Sequence, residues 1–498
     1  MIRFDKSKYE YGDWQTNQNL SLSVCKLLKS KNFTPQIIIE PTCGAGNFIL
    51  SALNVFDNVE KIYGIEIHKP YIEQLENRLS KLKYKTEIEL IHNDFFFFDF
   101  SQIKQFLKGK RILVIGNPPW VTNSVLGEMG GKNLPKKSNF KHENGLSAIT
   151  GKANFDIAEN ISLQLIDLLQ GENAVFAFLV KNSVIKNLVY QQENCKFGIS
   201  EINQYIIDAK KEFDVSVSAS LLTLRFSSPF SNKCNIFDFY TLQKQKEYGW
   251  VNGNFVSDSN TYRSVMFMDG KCQFEWRSGI KHDCSKVIEL TLENNILKNG
   301  LNEIVDIESD CIYPLFKGSD IVRERENKNR KFIVLTQKHT SDDTSKLGNT
   351  HPKMYQYLLK HAKYLDGRKS SIYKKRSRFC LFGIGDYSFK PYKVAISGLH
   401  KNTKFKLIQQ INGKAPMLDD TCYMIGFDCY EDANIVQRVL NSPFVQLFIE
   451  SLFFKDAKRP ITKDILMRID FKKLLDNKKA KDLNITKEQY ARLYQIIK

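Results

Sequence analysis

Long apolar runs, closely spaced cysteines and paired histidines are all missing from this 498-residue chain. Its apolar residues fall in short runs of roughly four to eight, well under the 18 to 20 or so needed to cross a bilayer. The opening Met1-Ile2-Arg3-Phe4-Asp5-Lys6 lacks the apolar stretch of a signal peptide. No membrane association is expected, and a cytoplasmic location is. The ten cysteines are scattered from Cys25 to Cys429, and no two are separated by only two residues. This spacing argues against a zinc site or a disulfide scaffold and for reduced, individually buried thiols. The eight histidines form no HExxH or HxxxH pair, so no metal is expected. There is no internal repeat, and Phe95-Phe96-Phe97-Phe98 is the one biased tract.

What is present is enough apolar material, 42% of residues, to fill two or three cores at about 150 residues per domain, which excludes disorder as the main state. The net charge is +18 and is unevenly placed. Residues 1–230 hold 27 Lys and Arg against 24 Asp and Glu, whereas residues 231–498 hold 46 against 31, a net +15. A polyanionic partner for the second half is one reading, and an uninvolved basic surface is the other.

The first 230 residues alternate strand-like and helix-like segments, the pattern of a mostly parallel sheet covered on both faces. Strands are expected at Ile37–Glu40, Lys61–Ile65, Ile88–Ile91, Arg111–Ile115, Ala174–Leu179 and Ser220–Leu224. Helical spacing appears over Leu20–Leu28, Tyr71–Leu82 and Ile157–Leu169. Val121–Ala153 breaks the rhythm with Gly, Asn, Ser and Lys, and is expected to be a mobile lid. The polar cluster Ser227–Lys233 suggests a boundary, giving domains 1–230 and 231–498.

Four strand ends carry the chemistry. The first runs into Glu40-Pro41-Thr42-Cys43-Gly44-Ala45-Gly46-Asn47-Phe48, where the glycines permit either a plain tight turn or a close approach of ligand to a helix N-terminus. The second ends in Glu66-Ile67, twenty residues past Gly46, where a Rossmann-like unit places the acid for a ribose. The third ends at Asn93-Asp94-Phe95, a carboxylate and a ring suited to an adenine. Where the dinucleotide fingerprint would have its third glycine stand Phe48 and Ile49, which favours a nucleoside over a pyrophosphate. The fourth strand delivers Gly116-Asn117-Pro118-Pro119-Trp120. Two prolines fix an extended backbone, so the Asn117 side-chain oxygen and the Pro118 carbonyl can accept from one exocyclic NH2, with Trp120 as a stacking face. The plainer reading is a strand-ending turn with a core Trp.

These residues together resemble the adenine-N6 DNA methyltransferases of restriction–modification systems, in the gamma-type motif order with a C-terminal target-recognition domain. The resemblance covers residues 9–230. It implies a Rossmann-like class I methyltransferase fold with a mixed seven-stranded sheet, followed by an α+β DNA-recognition domain. It implies S-adenosylmethionine as cofactor, held by Glu40, Pro41, Thr42, Cys43, Gly44, Gly46, Asn47 and Phe48, by Glu66 and Ile67, by Asp94 and Phe95, and by Asn117. Asn117, Pro118, Pro119 and Trp120 match the catalytic tetrapeptide, with Trp where Tyr is more common. Tyr11-Gly12-Asp13-Trp14-Gln15-Thr16 resembles the motif that closes over the methionine end, which adds Gln15 and Thr16. Ile161 stands where the family often has an aromatic against the cofactor adenine. Phe213 takes the place of a second base-stacking ring, and could equally be core.

The second half resembles the family's recognition domains only loosely. Within Arg368–Phe379, a strip mixing cations and aromatics, Lys374, Lys375, Arg376 and Arg378 are candidate contacts to the DNA backbone, and Lys455, Lys458 and Arg459 form a second strip. Trp276–Asp283 resembles a recurring feature of such domains without an evident role. The expected partner is double-stranded DNA; about ten residues precede Tyr11, where fused enzymes place the nuclease, so no fused nuclease is expected and any cognate restriction endonuclease would be a separate chain. RNA adenine and protein glutamine methyltransferases use a similar Asn-Pro-Pro-aromatic turn and are the alternatives.

Overall fold

A computed structural model describes residues 15–121, 156–226, 230–323, 331–374 and 376–498. Expectations placed on Tyr11–Trp14, on the segment from 122 to 153 and on Lys375 lie outside the described residues. By its contacts the chain divides into two units, 1–259 and 260–498.

Within the first unit the expected strands form. They are β1 (Ile37–Glu40), β2 (Lys61–Glu66), β3 (Glu87–His92), β4 (Arg111–Gly116), β5 (Asn173–Lys181) and β7 (Ala219–Phe226), and a strand that the sequence pattern did not indicate, β6 (Ile199–Ile206), joins them. The helices are α1 (Gln18–Ser30), α2 (Asn47–Val55), α3 (Lys69–Leu79), α4 (Ser101–Leu107), α5 (Ile157–Leu168), α6 (Asn182–Cys195) and α7 (Ala209–Phe213). The sheet order is β3-β2-β1-β4-β5-β7-β6, with β1 to β5 parallel and β7 antiparallel to both neighbours. Ile37, Ile38 and Ile39 are all buried, so both faces of β1 are covered and the strand reads as a continuous apolar run.

The sheet does not stop at seven strands. β8 (Lys233–Asp238), β9 (Lys244–Val251) and β10 (Asn254–Val256) continue it beyond β6 to ten. β8 pairs in parallel with β6, β9 returns antiparallel, and Tyr205 stacks on Phe237 at 5.1 Å. Residues 233–256 therefore belong with the first unit, and the boundary at 230 moves to 259. β7 and β8 lie in one sheet, so the polar composition between them does not mark a domain boundary, a distinction that local composition cannot make.

The second unit is α+β. One sheet orders β13 (Ile296–Asn299), β12 (Glu289–Glu293), β15 (Lys331–Val334), β14 (Ile312–Phe316) and β18 (Met417–Leu418). The other orders β11 (Arg277–Ser278), β19 (Cys422–Phe427), β16 (Tyr392–Ser397) and β17 (Lys406–Gln409). Trp276–Asp283 acquires a structural role here: Gly279 donates to the Cys422 carbonyl and Ile280 to the Leu418 carbonyl, so the segment joins the two sheets. A Cβ at Gly279 would lie 2.2 Å from the Asp419 carbonyl oxygen, which requires glycine. Among the described residues no helix is long and apolar enough to cross a membrane.

Candidate active site

The strand order reverses between β1 and β4, and in open α/β sheets that reversal opens a crevice at the carboxyl ends of the strands. Here the loop Pro41–Gly46 and the turn Asn117–Trp120 leave adjacent strands at that point.

The loop is shaped by its two glycines. Gly44 and Gly46 have φ of +51° and +79°, in the left-handed region, and Gly46 caps α2. A Cβ on Gly46 would lie 2.2 Å from Leu75 Cδ1, and one on Gly44 would lie 2.6 Å from Gln15 Nε2. Gln15 Oε1 accepts from Ala45 N at 3.3 Å, and the Thr16 carbonyl accepts from Asn47 Nδ2 at 2.6 Å. The structure thus brings Gln15 and Thr16 onto the loop.

Glu66 ends β2 with both carboxylate oxygens engaged: Oε2 accepts from Gly44 N and Oε1 from His68 N, each at 2.8 Å. The carboxylate thereby fixes the loop through two backbone N–H groups. Asp94 Oδ1 accepts from Phe96 N at 2.9 Å, and buried Phe95 packs edge-on against Phe96. Ile67, next to Glu66, is 36% exposed.

Glu40 is the electrostatic oddity. Burial, added to repulsion from Glu66, raises its pKa well above the ordinary carboxyl value, and a backbone hydrogen bond from Ile49 offsets only part of this. Its Oε2, together with Thr16 Oγ1 and Thr42 Oγ1, is buried with no hydrogen-bond partner among the described residues. Buried polar atoms are nearly always paired, so three orphans, on the strap of residues 15–17 before α1, at the end of β1 and in the loop, fit a polar ligand. Cys43 is also buried, and burial first, then Glu40 and Glu66, raises its thiol pKa, so it is an inert thiol.

Just past β4, Pro118 is buried and Asn117 and Pro119 are half-buried. Trp120 Nε1 donates to the Leu179 carbonyl at 3.0 Å, and its ring meets Phe213 edge-on at 5.0 Å and 65°. The two expected base-stacking rings, one just past β4 and one at the end of α7, are brought together from places far apart in sequence. Both are packed as core residues, 5% and 7% exposed. A stacking role requires that edge contact to open. Asp156 caps α5 and pairs with Lys181 at 2.6 Å. Burial outweighs that pairing and leaves its pKa raised.

Sequence reasoning missed Arg78. From α3 its Nη1 donates to the Ala45 carbonyl at 2.6 Å and to Asn47 Oδ1 at 2.9 Å, pinning the loop from 31 to 33 residues away. An isolated Arg on an amphipathic helix carries no signal of that reach.

In the second unit, Lys374 and Arg376 are exposed. Arg378 is exposed but held by Asp366 through bonds of 2.5 to 3.2 Å. Arg368 is not a surface cation. It is 8% exposed, donates to the carbonyls of Leu365, Arg378 and Cys380, and lies 3.7 Å from the Tyr373 ring. It braces the strip from beneath. Arg459, in the second strip, pairs with Asp420, while Lys455 and Lys458 are exposed.

The fold and the loops at its switch point define a Rossmann-like methyltransferase. No protein-family model matches the sequence. The chain is 41% identical over 472 residues to the Type II methyltransferase M.NspV of Nostoc sp. (strain ATCC 29411 / PCC 7524), covering 94% of this chain and 98% of that one, and it belongs to the Type II methyltransferases of restriction–modification systems. It is also 28% identical over 159 residues to the Type II methyltransferase M.CvrRI of Paramecium bursaria Chlorella virus XZ-6E, covering 32% of this chain and 34% of that one. In fold it is similar to the Type IIL restriction-modification enzyme MmeI in complex with DNA, with a TM-score of 0.53 and 13% identity over 99% of this chain and 72% of that one.

Proposed function

We propose that the chain transfers a methyl group from S-adenosylmethionine to N6 of an adenine flipped out of duplex DNA, as the modification component of a restriction–modification system. The observation that carries this is the adjacency of the Gly44–Gly46 loop and Asn117-Pro118-Pro119-Trp120 on neighbouring strands at the switch point. Support for the cofactor comes from the three orphaned atoms: a ligand bearing an ammonium and a carboxylate offers donors to Glu40 Oε2 and acceptors to the two threonine hydroxyls. The bound cofactor supplies an electrophilic methyl group. Asn117 and the Pro118 carbonyl accept the two hydrogens of the adenine amino group, localising its lone pair for attack. Trp120 and Phe213 supply the apolar wall, and flipping itself costs a few kcal/mol, offset by stacking and backbone contacts.

Family membership and the basic second half support duplex DNA, recognised by residues 260–498. The test is labelled-methyl transfer to duplex DNA, RNA and protein, followed by sequencing of modified bases. Label in N6 of adenine in duplex DNA is the expected result. Label confined to RNA or to protein glutamine overturns the reading.

A further inference from the structure

Three consecutive residues before α1 reach two different parts of the first unit. Gln15 and Thr16 hold the cofactor loop through Ala45 N and Asn47 Nδ2. Asn17, the next residue, turns the other way: its Oδ1 caps α1 by accepting from Leu20 N at 2.8 Å, and its Nδ2 donates to Glu212 Oε2 at 2.9 Å across 195 residues. The other oxygen, Glu212 Oε1, accepts from the hydroxyl of Tyr240 at 3.0 Å, in the connection between β8 and β9. Glu212 lies in α7 and is followed directly by Phe213, the ring set edge-on to Trp120. A single carboxylate therefore fastens the short helix bearing Phe213 to the strap that lies on the cofactor loop.

We infer that Glu212 is a positioning residue that couples cofactor occupancy to the pocket for the flipped base. This rests on the proposed adenine-N6 reading. Its physical basis is that the Asn17–Glu212 hydrogen bond ties the strap to α7, so an event that holds the strap on its loop also fixes where Phe213 stands against Trp120. Coupling of this kind is a free energy shared by the two sites, and it is read as the factor by which one ligand strengthens the other.

Asn17→Asp breaks the link selectively, because aspartate keeps the cap on α1 while presenting a second carboxylate to Glu212. Glu212→Gln added to it restores the link with the donor reversed, since the glutamine amide donates to the new carboxylate and its carbonyl still accepts from Tyr240. The experiment uses the full chain and duplex DNA with 2-aminopurine at the target adenine, titrated with and without S-adenosylhomocysteine. In the wild type the cofactor product strengthens flipping by at least about tenfold, a coupling within the usual range. In Asn17→Asp that factor falls about fivefold, with melting temperature and affinity for the product alone near wild type, and the double variant recovers it. An unchanged factor in Asn17→Asp, no coupling in the wild type, or no recovery in the double variant overturns the inference. Absence of methyl transfer to adenine in the wild type would instead overturn the function it rests on.

Discussion

Asn117 and Glu40 are two side chains whose surroundings set what they can do. Asn117 stands at the end of β4, held by the prolines that follow. On the proposed mechanism Asn117→Ala removes an acceptor for the adenine amino group, and methyl transfer is expected to fall at least about a hundredfold while cofactor and DNA binding survive. Single-turnover transfer together with binding titrations checks this, and full activity in the variant would remove Asn117 from the chemistry. Glu40 has its pKa raised above the ordinary carboxyl value by burial and by Glu66. The folded chain therefore holds this proton more tightly than the unfolded one, and the group's effect on stability worsens as pH rises from the unfolded value, about 4.3, through the folded one. Glu40→Gln is expected to raise the melting temperature of the cofactor-free protein at about pH 7, with the gain fading toward about pH 4. The same variant is expected to bind S-adenosylmethionine at least about tenfold more weakly, the effect of losing one charged hydrogen bond. Melts across pH and calorimetry read both effects, and unchanged affinity would take Glu40 out of the cofactor site.

At the scale of elements, the turn from β1 into α2 works only with glycine at position 46, where a left-handed backbone coincides with contact from Leu75. Gly46→Ala adds both backbone strain and overlap, and is expected to destabilise by about 1–3 kcal/mol. Denaturant unfolding measures it, and a wild-type midpoint would mean that α3 yields to the added methyl. The loop and strand ends were legible in the sequence because glycine, proline and buried β-branched runs act locally. β6 and β8 to β10 were not. Ile199–Ile206 is threaded with Glu201, Asn203 and Gln204, and Asn203 and Gln204 become buried only by pairing with Asn235 and Ser220 from elsewhere in the chain. A polar residue whose partner is distant looks like a surface residue in sequence.

For the whole molecule, the ten-stranded sheet moves the natural cut. A fragment ending at residue 230 would leave the edge of β6 open and strip Phe237 from Tyr205, inviting aggregation, whereas one ending at Ser259 keeps the sheet whole. The longer fragment is expected to unfold cooperatively and the shorter one to aggregate, as calorimetry and light scattering would show; equal behaviour would restore the boundary at 230. In the second unit, neutralising exposed Lys374 and Arg376 is expected to flatten the dependence of log affinity on log salt by about 2, close to 0.9 for each phosphate no longer neutralised. Neutralising Arg378 is expected to change it less, because Asp366 already holds that guanidinium. A slope unaltered by the double change would make the strip an ordinary solvated face.

By itself the sequence determined the α/β character of the first unit, the positions of β1 to β5 and β7, and which strand ends bear Gly44, Glu66, Asp94 and Asn117. These follow from backbone rules and from periodic burial, both of which act within a few residues. Only the tertiary structure decided that Trp120 meets Phe213, that Arg78 and Glu212 brace the loop and the short helix, and that Arg368 is buried beneath the strip it borders in sequence. Each of these depends on which long side chain finds a carbonyl, a carboxylate or a ring, often many tens of residues away. That pairing is settled when the chain packs, because burying a charged or polar group without a partner costs more than the net gain of any single contact.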